Sequence, residues 1–219
     1  MIVVHHLNNS RSQRVLWLLE ELGVPYEIKK YQRDSETMLA PPELQKVHPL
    51  GKSPVITDRG VTFAESGAIL EHLVDAYGKA PLAPSPGTPA HGLYRYFMHY
   101  AEGSLMPFLL LKLVFTKVSS DAPFLVRPIA KAIAGTVSSQ FIDPNLKTHL
   151  AFLADHLAKH TWFAGDDFSA ADVQMSYPVE SAIARAGTAV SPKLTEWTAR
   201  IQARPAYRRA IERGGNYRV

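Results

Sequence analysis

The segment 51–70 constrains the fold more than any other part of the chain. Residues 55–56 suit a buried strand, an Asp-Arg-Gly turn signal follows, and residues 61–63 suit a second short strand. The pair predicts a β-hairpin that continues directly into a helix starting near Glu65 and Ser66. Because a helix start offers unpaired N–H groups and the positive end of the helix dipole, this junction can bind a carboxylate.

The residues before the hairpin alternate between strand and helix patterns. Residues 2–7 predict a first strand, and apolar residues then recur from Val15 at i, i+3, i+4 and i+7, which predicts an amphipathic helix ended by Gly23. Residues 26–31 predict a second strand, followed by a weak helical turn. With the hairpin and its helix, the order β-α-β-(α)-β-β-α predicts a thioredoxin-like α/β domain over residues 1–78.

Prolines and glycines concentrate in residues 79–92, which predicts a linker. Beyond it no strand pattern persists, so residues 93–219 predict an all-helical domain. The helices are predicted at 94–105, 123–141, 145–160, 169–186 and 193–204, with a kink at Pro107 and a last helix that begins at Pro205.

The composition limits the class of protein and the chemistry that it can perform. Of the 219 residues, 46% are apolar and 20% are charged, which is typical of a soluble globular protein. No apolar run approaches the ~20 residues of a membrane span and no signal peptide is recognisable, so we expect a cytoplasmic protein that contacts no membrane. The chain has no cysteine, so any thiol must come from a ligand and no thiolate metal site can form.

The charge is moderately basic, with a formal net charge of +4 and a pI of about 9.2. We interpret the basic residues of the last helices as a solvated face and expect no nucleic-acid partner. A modest positive field would instead favour an anionic small ligand. The basic residues in question are Arg200, Arg204, Arg208, Arg209 and Arg213.

Three motifs together resemble the cytosolic glutathione S-transferase family, in its bacterial and fungal forms outside the best-known mammalian classes. They are the pair Ser53-Pro54, the pair Glu65-Ser66 and the pattern that runs from Trp162 to a capping box at Ser169 and Asp172. The resemblance extends over both predicted domains. It implies a thioredoxin-like domain that binds glutathione, joined to a helical bundle.

The resemblance also implies how glutathione is held. The backbone of Ser53, which precedes a cis Pro54, would pair with the cysteinyl unit, and Glu65 and Ser66 would hold the γ-glutamyl end. Lys52 matches a position that often contacts the glycyl carboxylate or the backbone. From the residues alone, the same segment also fits a plain hairpin in which Glu65 or Ser66 caps the helix.

The family places a hydrogen-bond donor for the thiolate after the first strand, and two residues compete for that place here. Counting back from the end of the first helix matches Asn9 to the serine of serine-type members, and a shift of one residue matches Ser10 instead. We favour Ser10 as the main donor and keep Asn9 as the alternative. Ser10 and Gln13 also have the spacing of a capping box, so Ser10 could simply cap the helix.

Five other charged or titratable residues are weaker candidates. His5 and His6 alternate between the two faces of the first strand, and we interpret both as structural. Arg11 and Arg14 could add positive potential beside the thiolate, although solvated helix charges are the simpler interpretation. Glu102 could reach the glutathione of a neighbouring subunit, as an acid near that position does in some relatives.

The predicted activity is conjugation of the glutathione thiolate to a hydrophobic electrophile, with reduction of organic hydroperoxides as a further possibility. Glutathione would be the co-substrate, with no prosthetic group and no metal, and the resemblance implies a homodimer. The electrophile would bind in an apolar pocket between the domains. The alternative is a non-catalytic protein with this fold that binds glutathione or apolar ligands.

Overall fold

A computed structural model of the chain describes residues 1–78, 82–185 and 190–215. In the first domain one sheet has the strand order β2-β1-β3-β4, with β1 parallel to β2 and the other two pairs antiparallel. Its elements are β1 Ile2–Leu7, α1 Ser12–Leu22, β2 Tyr26–Tyr31, α2 Pro42–Gln45, β3 Val55–Asp58, β4 Val61–Ala64 and α3 Ser66–Tyr77. The predicted thioredoxin-like arrangement, including the hairpin that runs into a helix, is confirmed.

The second domain is helical throughout the residues that the structure describes. Its α-helices are α4 Pro89–Tyr100, α5 Met106–Asp121, α6 Arg127–Val137, α7 Asp143–Lys159, α8 Ala170–Arg185, α9 Pro192–Gln202 and α10 Pro205–Gly214. Helix α4 begins inside the segment predicted as a linker, because Thr88 caps it through the N–H of His91. The first three linker residues, 79–81, and residue 186 of the predicted fourth helix lie outside the described residues.

Two wide helical turns connect α4 to α5 and α6 to α7, and each lies just before a proline. The π-helical turns are Ala101–Leu105 and Ser138–Ile142, and the prolines are Pro107 and Pro144. Since proline has no N–H and its ring crowds the preceding turn, a widened turn lets the helix continue past it. In place of the kink predicted at Pro107, the structure therefore has the π-helical turn Ala101–Leu105 just before that proline. The predicted helix 123–141 is shorter than expected and ends in the second turn.

The arginines of the last two helices fasten the helical domain to the first domain. Arg204 pairs with Glu21 at 2.6 Å, and Arg209 and Arg213 pair with Glu20 at 2.7 and 3.0 Å. Both glutamates belong to α1. The cluster is therefore more than a solvated face: Arg209 and Arg213 are exposed as expected, but all three arginines also form ion pairs between the domains.

The continuous helical segment Pro89–Asp121 has an apolar surface. It is long and apolar enough to cross a membrane by length and composition, with a mean hydropathy of 1.2 in its best window, of which 17% is buried. This corrects the expectation that no segment approaches such a length. In the structure the segment belongs to the helical domain, where Phe97, Leu105 and Leu109 are part of the hydrophobic core.

Candidate active site

A cleft of about 220 Å³ opens between the hairpin of the first domain and the start of the second. It brings together all five residues predicted to hold glutathione. The lining residues are Arg11, His48, Leu50, Lys52, Ser53, Pro54, Ala64, Glu65, Ser66 and Glu102. Glu102 comes from the π-helical turn of the second domain, so both domains build the cleft.

One wall of the cleft is formed by the segment that leads into β3. The Ser53–Pro54 peptide bond is cis, as predicted. The hydroxyl of Ser53 donates to the carbonyl of His5 at 3.2 Å, which ties this segment to the end of β1. Lys52 is exposed at the rim. The backbone of Ser53 is therefore presented at the cleft by two neighbouring strands.

The opposite wall is the start of α3. Glu65 immediately precedes the helix with φ +71°, a left-handed conformation that a glutamate rarely adopts. Its side chain makes no capping hydrogen bond among the described residues, so the alternative of a plain glutamate cap is not supported. Residues held in such conformations concentrate at functional sites. The exposed Glu65 and Ser66, the first residue of α3, both line the cleft.

A buried arginine connects this helix start to the second domain. Arg14 donates to the Ser66 hydroxyl at 2.8 Å, to the Gln174 carbonyl at 2.7 Å and to the Glu102 carboxylate at 2.6 Å. Its side chain is only 1% exposed. Burial lowers the pKa of Arg14 from its ordinary value, and Glu102 opposes that shift. The interpretation of Arg14 as a solvated helix charge is therefore wrong.

Glu102 forms ion pairs with two arginines at the edge of the cleft. Besides Arg14, it accepts from Arg11 at 2.9 Å, and the Arg11 guanidinium also lies over the ring of Tyr177. Burial acts to raise the pKa of Glu102, but Arg14 and Arg11 outweigh it and keep that pKa below its usual range. In this chain Glu102 thus lines the cleft of its own subunit. Its contact with a neighbouring subunit's ligand stays a prediction.

Ser10 is buried between β1 and α1, behind the lining residue Ser53, and does not itself line the cleft. Its hydroxyl contacts the Ser12 hydroxyl at 2.7 Å, donates to the Ser53 hydroxyl at 3.2 Å and accepts from the Ser12 N–H at 3.2 Å. The last contact is a cap of the helix start. The reciprocal half of the predicted capping box is absent from the described structure, because the Gln13 side chain packs against Gly214 of α10.

Asn9 lies in the turn between β1 and α1 and has a left-handed backbone with φ +48°. Its carbonyl accepts from Arg33 at 3.4 Å. Asn9 is not among the residues that line the cleft, whereas Ser10 contacts the lining residue Ser53.

His5 and His6 occupy opposite faces of β1, as alternation predicts, and both are buried. His5 bonds to the hydroxyls of Tyr31 and Thr57, away from Ser10. His6 contacts the Ser12 hydroxyl through Nδ1 at 2.8 Å. Burial, and then the charge of a neighbouring lysine, lowers the pKa of each ring below its ordinary value.

Comparison with known proteins decides the family. The model of the glutathione S-transferase N-terminal domain matches residues 1–75, and that of the C-terminal domain matches residues 137–213. Glutathione S-transferase 3 of Schizosaccharomyces pombe is 40% identical over 97% of this chain and 88% of its own length. The chain belongs to the glutathione S-transferase family.

Two further members of the family resemble the chain over nearly its whole length. Glutathione S-transferase 1 of Saccharomyces cerevisiae is 32% identical, over 97% of this chain and 95% of its own. A crystal structure of a glutathione S-transferase from Actinobacillus pleuropneumoniae superposes with a TM-score of 0.81 at 30% identity, covering 99% of this chain and 94% of that one. Membership of the family confirms the expected fold, a transferase enzyme rather than a non-catalytic binding protein, and glutathione as the co-substrate.

Three residues near the cleft make contacts that sequence reasoning did not predict, although His6 and Arg14 were among its weaker candidates. The Ser12 hydroxyl contacts both the Ser10 hydroxyl and the His6 ring, and Arg14 donates a hydrogen bond to the Ser66 hydroxyl. The spacing of Ser10 and Ser12 was visible, but the partners of each hydroxyl depend on how β1 and α1 meet. No group of residues suited to a metal ion occurs in the described part of the chain.

Proposed function

We propose that this transferase binds glutathione in the cleft between Lys52 and Glu102. The γ-glutamyl carboxylate would lie at the start of α3, against the Ser66 hydroxyl and the first helical N–H groups, which favour an anion. The Glu65 carboxylate would accept from the ammonium group of the same γ-glutamyl unit. The backbone of Ser53 would pair with the cysteinyl unit, and Lys52 would lie near the glycyl end. The observation that carries this proposal is the convergence of these separate segments on one cleft.

The ion cluster of Arg11, Arg14 and Glu102 explains why the start of α3 suits such a ligand. Because Arg14 donates to the Ser66 hydroxyl, that hydroxyl is held in place by the fold. The two positive charges of Arg11 and Arg14 face the single negative charge of Glu102, so the cluster carries a net positive charge. This excess favours the carboxylates of glutathione.

In this arrangement the cysteinyl sulfur lies near Ser10. A hydroxyl donor lowers the pKa of a thiol by stabilising the thiolate. The thiolate then attacks a hydrophobic electrophile and displaces its leaving group. With an organic hydroperoxide it would attack the terminal oxygen and release the alcohol, and a second glutathione would convert the resulting sulfenic acid to the disulfide and water. Ser10 is the proposed donor because it contacts Ser53, and Asn9 stays the alternative.

Titration calorimetry with glutathione tests the site directly. We expect Ser66→Ala and Glu65→Ala each to weaken binding by about 1.5–3 kcal/mol, the usual loss for a hydrogen bond to a charged group. Lys46→Ala, an exposed lysine that does not line the cleft, is the control and should bind like the wild type. Wild-type affinity in both site variants would rule out this placement of the γ-glutamyl end.

We also propose that the enzyme is a cytoplasmic homodimer. Several large apolar side chains of α5 and α6 are more than 40% exposed in the single chain, and such a surface favours a partner. They are Leu110, Val114, Val118, Ile129 and Ile133. Light scattering at micromolar concentration should give twice the chain mass of 24.3 kDa. Val114→Lys should reduce that mass to the monomer value, and a monomeric wild type would refute the dimer.

A further inference from the structure

A row of four polar side chains runs from the buried His6 to the edge of the cleft. Nδ1 of His6 contacts the Ser12 hydroxyl at 2.8 Å, which contacts the Ser10 hydroxyl at 2.7 Å, which donates to the Ser53 hydroxyl at 3.2 Å. The Ser53 hydroxyl in turn donates to the carbonyl of His5 at 3.2 Å. Ser12 is fully buried, and His6 and Ser10 are each 4% exposed.

The direction of this row follows from counting hydrogens. A serine hydroxyl has one hydrogen to donate, and a carbonyl has none. The Ser53 hydrogen is used on the His5 carbonyl, so the hydrogen between Ser10 and Ser53 must be that of Ser10. The hydrogen between Ser12 and Ser10 is then that of Ser12, for which the contact with Ser10 at 2.7 Å is far shorter than that with the Leu7 carbonyl at 3.5 Å. The remaining contact can only be made by a hydrogen on Nδ1 of His6.

The opposite arrangement would remove the donor from the cleft. If Nδ1 of His6 were bare, Ser12 would donate to the ring and Ser10 would donate to Ser12. The hydrogen of Ser10 would then point away from Ser53 and from any ligand beside it. A single proton on a buried ring thus decides whether Ser10 is a donor or an acceptor at the cleft.

We propose that His6, acting through Ser12, fixes the Ser10 hydroxyl as a hydrogen-bond donor to the sulfur of glutathione. This inference rests on the proposed function, in which the sulfur replaces the Ser53 hydroxyl as the acceptor of the Ser10 hydrogen. His6 and Ser12 are positioning residues, since neither touches the ligand. Hydrogen bonds in such a row polarise one another, so each donation strengthens the next.

The surroundings of His6 are compatible with a hydrogen on Nδ1. Lys30 of β2 lies beside His6 in the sheet and opposes a positive charge on the ring, whereas the backbone of Gly214 in α10 favours the protonated ring. The neutral ring with its proton on Nδ1 and the doubly protonated ring both donate to Ser12. A neutral ring with its proton on Nε2, the nitrogen left for the Gly214 backbone, cannot donate to Ser12. The row therefore keeps its direction only while Nδ1 carries a hydrogen.

The test measures the pKa of the bound glutathione thiol from the near-ultraviolet absorbance of its thiolate. His6→Leu and Ser12→Ala should raise that pKa by roughly half a unit to one unit, a 3- to 10-fold smaller thiolate fraction near neutral pH. His6→Asn should restore the wild-type value, because the side-chain amide can donate from the position of Nδ1. His5→Leu, which removes a buried histidine of the same strand outside the row, is the matched control and should leave the pKa unchanged.

A second ligand separates this proposal from damage to the site. A glutathione analogue with a methyl group in place of the thiol needs no donor at the sulfur, so all four variants should bind it with wild-type affinity. An unchanged thiol pKa in Ser12→Ala and His6→Leu overturns the proposal. A lowered thiol pKa in these variants also overturns the proposal, because it would mean that His6 normally directs the Ser10 hydrogen away from the sulfur.

The proposed function fails in a different way. If the wild type does not bind glutathione, or if Ser10→Ala leaves the thiol pKa unchanged, then the placement of the sulfur at Ser10 is wrong. If Ser10→Ala raises the pKa and the His6 and Ser12 variants do not, only the role of the buried row is refuted. Should His6→Leu fail to fold, Ser12→Ala and thermal melts of each variant still decide the question.

Discussion

Two helices of the chain begin with the same local signature, a serine followed three residues later by a side chain that can bond back to it. At the start of α8 the signature closes completely. The Ser169 hydroxyl accepts from the Ala171 N–H at 3.2 Å, and the Asp172 carboxylate accepts from the Ser169 N–H at 3.0 Å. Asp172 also accepts from the Phe163 N–H and the Trp197 ring N–H.

At the start of α1 the same signature stays open. Ser10 accepts from the Ser12 N–H, but its own hydrogen is directed to Ser53 at the cleft. Gln13, which would complete the box, lies buried against Gly214 and bonds to none of the described residues. One box is entirely used by the fold, whereas the other leaves a hydroxyl available to a ligand.

The difference shows what distinguishes Ser10, the serine that we propose as the thiolate donor, from a serine that only caps a helix. Both serines are buried and both cap a helix, so neither burial nor capping distinguishes them. What differs is the neighbour of the hydroxyl. The Ser169 hydroxyl donates to Asp172 of its own helix. The Ser10 hydroxyl instead donates to the hydroxyl of Ser53, which belongs to a distant segment at the cleft wall.

The largest expected effect comes from breaking the closed box. Asp172→Ala should cost about 3–5 kcal/mol of stability, because it leaves three buried N–H donors without an acceptor. The pKa of the bound glutathione thiol should not change in molecules that remain folded. Denaturant unfolding and thiolate titration measure the two quantities. A shifted thiol pKa would show that the closed box is also coupled to the site.

Breaking the open box should have the reverse profile. Ser10→Ala should raise the thiol pKa and slow conjugation by roughly 10- to 100-fold, less than the loss of an oxyanion donor in a dry site because the cleft is open. Its stability cost should be only about 1 kcal/mol, the usual value of a cap. Asn9→Ala is the control, and it should leave the thiol pKa alone. A raised pKa in Asn9→Ala with none in Ser10→Ala would move the role to Asn9.

The sequence was sufficient for every part of the site that depends on local order. The helix that begins after Glu65 and the closed box at Ser169 follow from short patterns, and the cis bond before β3 was implied by the family resemblance. The structure contains each of them. The strands and helices of the first domain were predicted for the same reason. Their apolar periodicities have few competing interpretations.

The parts that could not be predicted depend on contacts between distant segments. Nothing near Arg14 in the sequence indicates that it is buried, since its partners Glu102 and Gln174 belong to the second domain. The same holds for Arg204, just before α10, and for Arg209 within it, whose acidic partners lie more than 180 residues earlier. Whether a charged side chain on a helix is solvated depends on which distant helix packs against it, and the local sequence does not contain that information.

The smallest expected effect concerns Gln13, the residue that leaves the first box open. Both polar atoms of its amide are buried and lack a hydrogen-bond partner among the described residues. A buried amide without partners costs free energy, and replacing it with an apolar side chain of similar size removes that cost. Gln13→Leu should therefore be neutral or stabilising by up to about 1 kcal/mol, measured by denaturant unfolding.

The matching change in the closed box would be severely destabilising, so the two positions should respond in opposite directions. Gln13→Leu should also leave the thiol pKa unchanged, since the Ser10 hydroxyl makes its contacts without Gln13. Gln13→Ala separates polarity from volume, because it removes the amide but leaves a cavity beside Gly214. A loss of more than about 1 kcal/mol in Gln13→Leu would mean that the amide is hydrogen-bonded in solution, and that the first box is stabilised by a partner other than Ser10.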